Sequence, residues 1–229
     1  MTREVAATTR QALCARLGVS PARKLVLLAT SDLGTPSKRV RYPFIDWADA
    51  VRQIEKLGHL AARHPEWAFL LRGHPRYDHP VLYERFVRRG SDAGSLVRTS
   101  DCPPAQLLPG VDVIVVVNAI TSAIVEFSHW NKPLFLLLPS AIWCDRDEWL
   151  TGAWPHLDSI ADLETELERV FRAPEQYNTR VAETAAAMRR FFDGPPTPSI
   201  PRCIDAIRRL AATRPVPDVR RPQSQLCPT

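Results

Sequence analysis

The sequence lacks any apolar run of the roughly 20 residues that a helix needs to cross a bilayer. Charged residues are scattered through positions 1–18, which distinguishes the N-terminus from a secretory signal peptide. Apolar residues make up 45% and charged residues 24% of the chain, proportions that are typical of a folded globular protein. We therefore expect a folded cytoplasmic protein, with peripheral attachment to the inner face of the membrane left open.

Paired cysteines and ligand-binding glycine motifs are also missing. The five cysteines are widely spaced, without a CxxC pair, which indicates neither a disulfide framework nor a zinc site. His74, Asp78 and His79 come nearest to a metal cluster, but Pro75 and Pro80 break their spacing, and no metal is expected. Neither GxGxxG nor a Walker loop is present, so we expect no flavin or nicotinamide cofactor.

Lysine is scarce, and this bears on the net charge of +5. Of the 30 basic residues only Lys24, Lys38, Lys56 and Lys132 are lysines. The basic residues are spread along the chain, and no aromatic-rich RNA signature accompanies them. Nucleic acid is therefore not the expected partner, whereas a phosphate-bearing small ligand suits this charge.

The sequence does contain a regular alternation of apolar runs with amphipathic segments. A continuous apolar run is typical of a strand that is buried on both faces of a parallel sheet. Such strands are predicted at residues 24–30, 67–72, 111–117 and 133–138, with a weaker one at 95–99. The run 111–117 is the richest in β-branched residues and is predicted to be central. The fold class is therefore α/β, with a Rossmann-like parallel sheet of about five to six strands and flanking helices.

Helices are predicted between and beyond these strands. The first covers residues 3–17, with Val5, Ala12, Leu13 and Leu17 on one side and Gly18 closing it. Later helices include one that follows Asp46, one opened by a Ser159–Asp162 capping box, and others at 81–89, 177–191 and 202–212. Residues 1–212 are predicted to form one domain, followed by a Pro-rich, disordered tail at 213–229.

The serial order of short motifs on this pattern resembles a known family. A strand runs into His74-Pro75, the strand VDVIVVV runs into NAITSAIVEF with Thr121-Ser122, and NKPLFLL follows. Together they resemble the C-terminal, donor-binding half of GT-B glycosyltransferases, particularly bacterial capsule-polysaccharide, polysialyl- and CDP-glycerol transferases. The resemblance implies that the HP and Ser/Thr motifs face the phosphates of a nucleotide-activated sugar or polyol.

GT-B enzymes have two similar halves, and the resemblance covers one. Because the catalytic base of these families generally belongs to the other half, the resemblance implies a partner. That partner is expected to be an acceptor-domain protein or a second copy of the chain.

The candidate site residues follow predicted strands at the carboxyl edge of the sheet, where ligands of α/β proteins bind. His74 is the candidate catalytic residue, as a hydrogen-bond donor or positive charge for the leaving phosphate, with Arg76 beside it. Thr121 and Ser122 offer hydroxyl groups and backbone N–H groups to a phosphate. The alternative interpretation is a turn histidine, a solvated arginine and a helix cap.

Four further residues complete the predicted substrate-binding set. Glu126 lies one turn beyond Ser122, a position resembling the carboxylate with which GT-B enzymes hold the ribose. Thr30, Ser31 and Asn118 end or follow strands at the same edge, although turn or capping roles explain them equally well.

We therefore expect a donor domain for polysaccharide or related envelope biosynthesis. A non-catalytic nucleotide- or partner-binding module is the alternative, and a sugar-nucleotide epimerase-like protein is a third hypothesis.

Overall fold

The computed structural model describes residues 3–30, 47–73, 96–99, 102–117, 123–128, 130–137, 154–192 and 208–209. Within them, six parallel strands form a sheet in the order β3-β2-β1-β4-β5-β6. The strands are β1 (Lys24–Thr30), β2 (Trp67–Arg72), β3 (Leu96–Arg98), β4 (Val113–Val117), β5 (Leu134–Leu137) and β6 (His156–Leu157). The predicted α/β fold class and Rossmann-like parallel sheet are confirmed, and β4 is internal as expected.

Helices flank the sheet on both faces. They are α1 (Arg3–Leu17), α2 (Trp47–Arg63), α3 (Pro104–Leu107), α4 (Ala123–Ser128), α5 (Ile160–Arg172) and α6 (Pro174–Phe192). The chain divides into two compact units, residues 1–191 and 192–229, and the sheet belongs to the first. The predicted domain limit at residue 212 and the disordered tail stay predictions, and the predicted helix 81–89 lies outside the described residues.

The strands form because their side chains are apolar on both faces, as a sheet covered by helices on each side requires. On one face the core includes Val26, Leu28, Phe69 and Val115, which pack against α2, α5 and the first turns of α6. Because successive side chains of a strand point to opposite faces, the alternate residues of the same strands form the core on the other face. There they pack against α1, α3 and α4. The sheet is therefore the middle of three layers.

The first helix ends as predicted, but its buried face differs from the predicted one. Gly18 has a φ of 66°, a conformation that glycine adopts easily at the end of a helix. Leu13 and Cys14 are buried and Leu17 is half-buried, whereas Ala12, predicted on the same side, is exposed. The actual face also includes Arg10, because positions 10, 13, 14 and 17 share one side of a helix.

The last two helices of the first unit follow the sequence closely. Ser159 is the N-cap of α5, and its Oγ accepts a hydrogen bond from the N–H of Asp162 at 3.1 Å. Leu163, Leu167 and Val170 are buried on the inner face of α5. The strand β6 was not predicted, because two residues carry no periodic signal. No helix among the described residues is long and apolar enough to cross a membrane.

Candidate ligand site at the carboxyl edge of the sheet

The order of the strands reverses between β1 and β4. The chain passes from β1 outward to β2 and β3, then returns to place β4 on the other side of β1. The helix after β1 packs on one face through Leu57 and Leu60, whereas the helix after β4 packs on the opposite face through Ile124 and Phe127. The two helices therefore cover opposite faces on either side of this reversal, which is the position at which doubly wound sheets commonly bind ligands.

Thr30 lies at this reversal point, at the end of β1. It pairs in register with Val117, the last residue of β4, and it is buried. Its hydroxyl donates a hydrogen bond to the carbonyl oxygen of Arg72 at 3.3 Å. Thr99 repeats this arrangement beyond β3, donating to the carbonyl oxygen of Leu71 at 3.3 Å. Both threonines therefore help to hold the strand ends together, and the role of Thr30 toward a ligand stays a prediction.

Of the remaining predicted site residues, Glu126 lies within the described part of the chain and the others do not. Glu126 lies in α4, which begins directly after Ser122 in the sequence. Six residues fall outside the described ranges, and their roles stay predictions: His74, Arg76, Ser31, Asn118, Thr121 and Ser122. Their neighbours are described, since β1 ends one residue before Ser31, β4 ends one residue before Asn118, and Gly73 precedes His74. The described residues that precede these segments, at the ends of β1, β2 and β4, lie at one edge of the sheet.

Arg72 is a residue at this edge that the sequence interpretation missed. It ends β2, and it pairs in register with Ala29 of β1. The side chain is half-buried, and its Nε atom is buried without a hydrogen-bond partner among the described residues. Since Leu70 lies on the face of the sheet that α1, α3 and α4 cover, the alternation of the strand places Arg72 toward that same face. The sequence feature that could have identified Arg72 is a single charged residue at the end of an apolar strand, directly before Gly73-His74-Pro75.

A guanidinium in this position suits an anionic ligand. Arginine presents several N–H donors in a planar fork that matches phosphate oxygens. A buried donor without a partner costs free energy, and a ligand oxygen would remove that cost. Among the described residues, no cluster of histidine, cysteine, aspartate or glutamate could hold a metal ion.

The opposite, amino edge of the sheet carries two polar networks with partners inside the fold. Arg10 binds both carboxylate oxygens of Asp112 at 3.0 Å. His64 lies between Glu66 and Glu164, with its ring nitrogens 3.0 and 2.8 Å from their carboxylates. Burial lowers the pKa of His64, but the hydrogen bonds to Glu164 and Glu66 outweigh it, so that its pKa is raised. These networks are satisfied internally and have the character of structural contacts.

The strand order, with helices on both faces of the sheet, defines a Rossmann-like domain. Solved structures of several proteins have a similar fold. A variant of the wall teichoic acid polymerase TagF after a 15 minute soak with CDPG superposes with a TM-score of 0.53, at 15% identity over 84% of this chain and 48% of that one. A glycosyltransferase from Rickettsia africae ESF-5 gives a TM-score of 0.52, at 14% identity over 93% and 54%.

A third neighbour is the UDP-GlcNAc 2-epimerase from Neisseria meningitidis bound to UDP-GlcNAc, with a TM-score of 0.51 at 13% identity over 83% and 48%. The fold is therefore that of a GT-B glycosyltransferase-like domain, which confirms the resemblance at the level of the fold. The chain spans about half the length of these neighbours. No family model matches the sequence, and no curated protein matches it.

Proposed function

We propose that this chain is a donor domain that binds a nucleotide-activated sugar or polyol and takes part in its transfer to a polysaccharide or related envelope acceptor. The observation that carries the proposal is the reversal of strand order between β1 and β4. The strands β2 and β4, which precede the HP and Ser/Thr motifs in the sequence, end at the same edge of the sheet. The structural neighbours support it, since one was soaked with CDPG and another was bound to UDP-GlcNAc.

In this proposal the phosphates of the donor lie at the carboxyl edge between β1 and β4. The hydroxyl groups of Thr121 and Ser122 donate hydrogen bonds to phosphate oxygens, and Arg72 supplies a fixed positive charge from the end of β2. Glu126, on the helix after β4, accepts hydrogen bonds from the ribose hydroxyls. In this proposal Arg72 and Glu126 contact the ligand from β2 and from α4.

Catalysis would rest on the leaving phosphate. As the bond between the donor group and the nucleotide breaks, negative charge increases on the phosphate that departs. His74 donates a hydrogen bond to that phosphate or neutralises it as an imidazolium, with Arg76 adding a positive charge. Activation of the acceptor falls to a second domain or a partner chain, at the cytoplasmic face of the envelope.

The test is calorimetric titration of the chain with CMP, CDP, UDP and GDP, repeated on His74→Ala and Ser122→Ala. We expect one nucleotide to bind in the micromolar range, and each variant to weaken binding by about 1 kcal/mol or more. His59→Ala and Ser20→Ala are matched controls, because both residues are exposed and lie outside this edge. Absence of binding to all four nucleotides by folded protein would overturn the proposal.

A non-catalytic binding module is the second candidate. The epimerase among the neighbours shows that the same fold serves a different reaction, so the fold does not choose between activities. Mass analysis of products from an activated sugar identifies transfer, because the acceptor gains mass. Epimerisation and a non-catalytic module both leave the donor mass unchanged, and NMR of the donor sugar separates these two, because only epimerisation inverts a stereocentre.

A further inference from the structure

A small cleft opens at the amino end of β5, at the edge of the sheet opposite to the proposed donor site. One wall is a single face of α6, formed by Tyr177, Arg180, Val181 and Thr184. These positions are spaced by three and four residues, so they line up along the helix. The other wall comes from the start of β5 and the segment before it, including Lys132 and Phe135.

The charge of this cleft has one sign. Among its lining residues, Lys132 and Arg180 are cationic and none is acidic. Ser128 and Thr184 add hydroxyl groups at the same opening. An uncompensated positive charge in a concave site raises the local concentration of anions.

Among the described residues, Lys132 interacts electrostatically with one carboxylate, and Arg10 already binds that carboxylate. The lysine is half-buried, and burial lowers its pKa, which means that desolvation works against its charged form. The carboxylate that favours its charge is Asp112, but both oxygens of Asp112 are bound by Arg10, and one also accepts from the N–H of Leu25. An anion in the cleft would supply the missing counter-charge.

The floor of the cleft is apolar. Phe135 and Val181 line it, and the ring of Tyr177 contacts that of Phe135 edge-on at 6.0 Å between centroids. The Tyr177 hydroxyl donates to Glu166, and burial and this contact raise the pKa of Tyr177 to about 12, so the phenol stays neutral. A ligand here meets positive charge at one end and a hydrophobic surface at the other.

We propose that this cleft is a second binding site, for a carboxylate carried on a small apolar body, such as an aryl carboxylate. The carboxylate bridges Lys132 and Arg180, and the apolar body lies against Phe135 and Val181. This site is separate from the proposed donor site, because it lies at the amino ends of the strands.

The test is titration of the full chain with benzoate, with benzamide as the neutral probe of the same shape and acetate as the anion without an apolar body. We expect benzoate to bind with a dissociation constant at least tenfold below that of either control. Lys132→Met should weaken benzoate binding at least tenfold, and Lys132→Arg should restore most of it. Lys56→Met removes the same charge from an exposed position of α2 and should leave binding unchanged.

The alternative outcomes overturn the proposal in distinguishable ways. Equal binding of acetate and benzoate means general attraction of anions, and equal binding of benzamide means an apolar cleft without charge selection. If Lys132→Met does not fold, Arg180→Met removes the other positive charge of the cleft at an exposed position. Unchanged benzoate binding by this variant would overturn the proposal. Lys132→Met should bind nucleotide with the same affinity as the unmodified chain. The proposal of a carboxylate site and the proposal of a donor site can therefore be tested independently.

Discussion

Arg10 of α1 and Asp112, directly before β4, are joined by two parallel N–H···O contacts of 3.0 Å each. The same guanidinium donates to the carbonyl oxygens of Arg23 at 2.6 Å and Gly110 at 2.8 Å. Asp112 in turn accepts from the N–H of Leu25 at 2.7 Å. One ion pair therefore fixes the first helix to the amino ends of the two central strands.

We predict that Asp112→Ala lowers the free energy of unfolding by about 2 kcal/mol, because two N–H groups of Arg10 and the N–H of Leu25 lose their carboxylate acceptor. The pair is partly exposed, with 23% and 31% of the two side chains accessible, so the loss stays below that of a fully buried pair. Urea unfolding monitored by circular dichroism measures it. Arg172→Met, at an exposed position of α5, is the control and should change stability by less than about 0.5 kcal/mol. An equal effect of both variants would contradict this account.

The network around His64 makes stability depend on pH. The pKa of His64 is raised, so its contribution is fully present below the unfolded pKa of about 6.5 and is lost as pH rises through the folded pKa. Hydrogen bonding from Arg63 and His64 lowers the pKa of Glu164, so its contribution is lost when pH falls below about 4.5. The network therefore stabilises the fold most between about pH 4.5 and 6.5.

We predict that His64→Gln removes a decline in stability between about pH 6.5 and 8. The decline amounts to a few tenths to about 1 kcal/mol, because the partner Glu66 is 58% exposed and solvent screens the pair. The free energy of unfolding measured at pH 6 and pH 8 gives the difference. His59→Gln changes an exposed histidine of the same helix and should preserve the decline. If His64→Gln preserves it as well, the network does not titrate as proposed.

A substitution of Arg72 should affect nucleotide affinity and the stability of the fold differently. We predict that Arg72→Leu lowers affinity for the nucleotide identified by calorimetry about tenfold, since a phosphate loses a charged donor. Stability should remain equal or rise by up to about 1 kcal/mol, because the variant removes a buried Nε atom without a hydrogen-bond partner among the described residues. Calorimetry and thermal unfolding of the same sample measure both. A loss of stability with unchanged affinity would assign Arg72 a structural role instead.

The sheet was predictable from the sequence because each internal strand is apolar on both faces, a pattern that only a covered parallel sheet requires. Ala12 was misplaced because alanine is tolerated on either side of a helix, whereas Arg10 was overlooked because its role depends on Asp112, 102 residues away. Arg72 was overlooked for a similar reason. Its position matters only once β2 is known to lie beside β1, and strand order depends on long-range pairing.

Two glycines allow a matched test of packing. A Cβ atom built on Gly110 would lie 2.7 Å from Cδ2 of Leu13, which is buried in the core between α1 and the sheet. Gly58 lies inside α2, and a Cβ atom there would meet nothing within 4 Å. The same substitution should therefore have opposite effects at these two positions.

We predict that Gly110→Ala lowers the free energy of unfolding by about 1–3 kcal/mol, because Leu13 must move within a packed core. Gly58→Ala should raise it by about 0.5–1 kcal/mol, because alanine loses less conformational freedom than glycine in a helix. Urea unfolding of both variants measures the difference. Combining Gly110→Ala with Leu13→Val, which shortens the opposing side chain, should cost less than the sum of the two single changes if this contact is the cause. Additive losses would show that Gly110 is required for another reason.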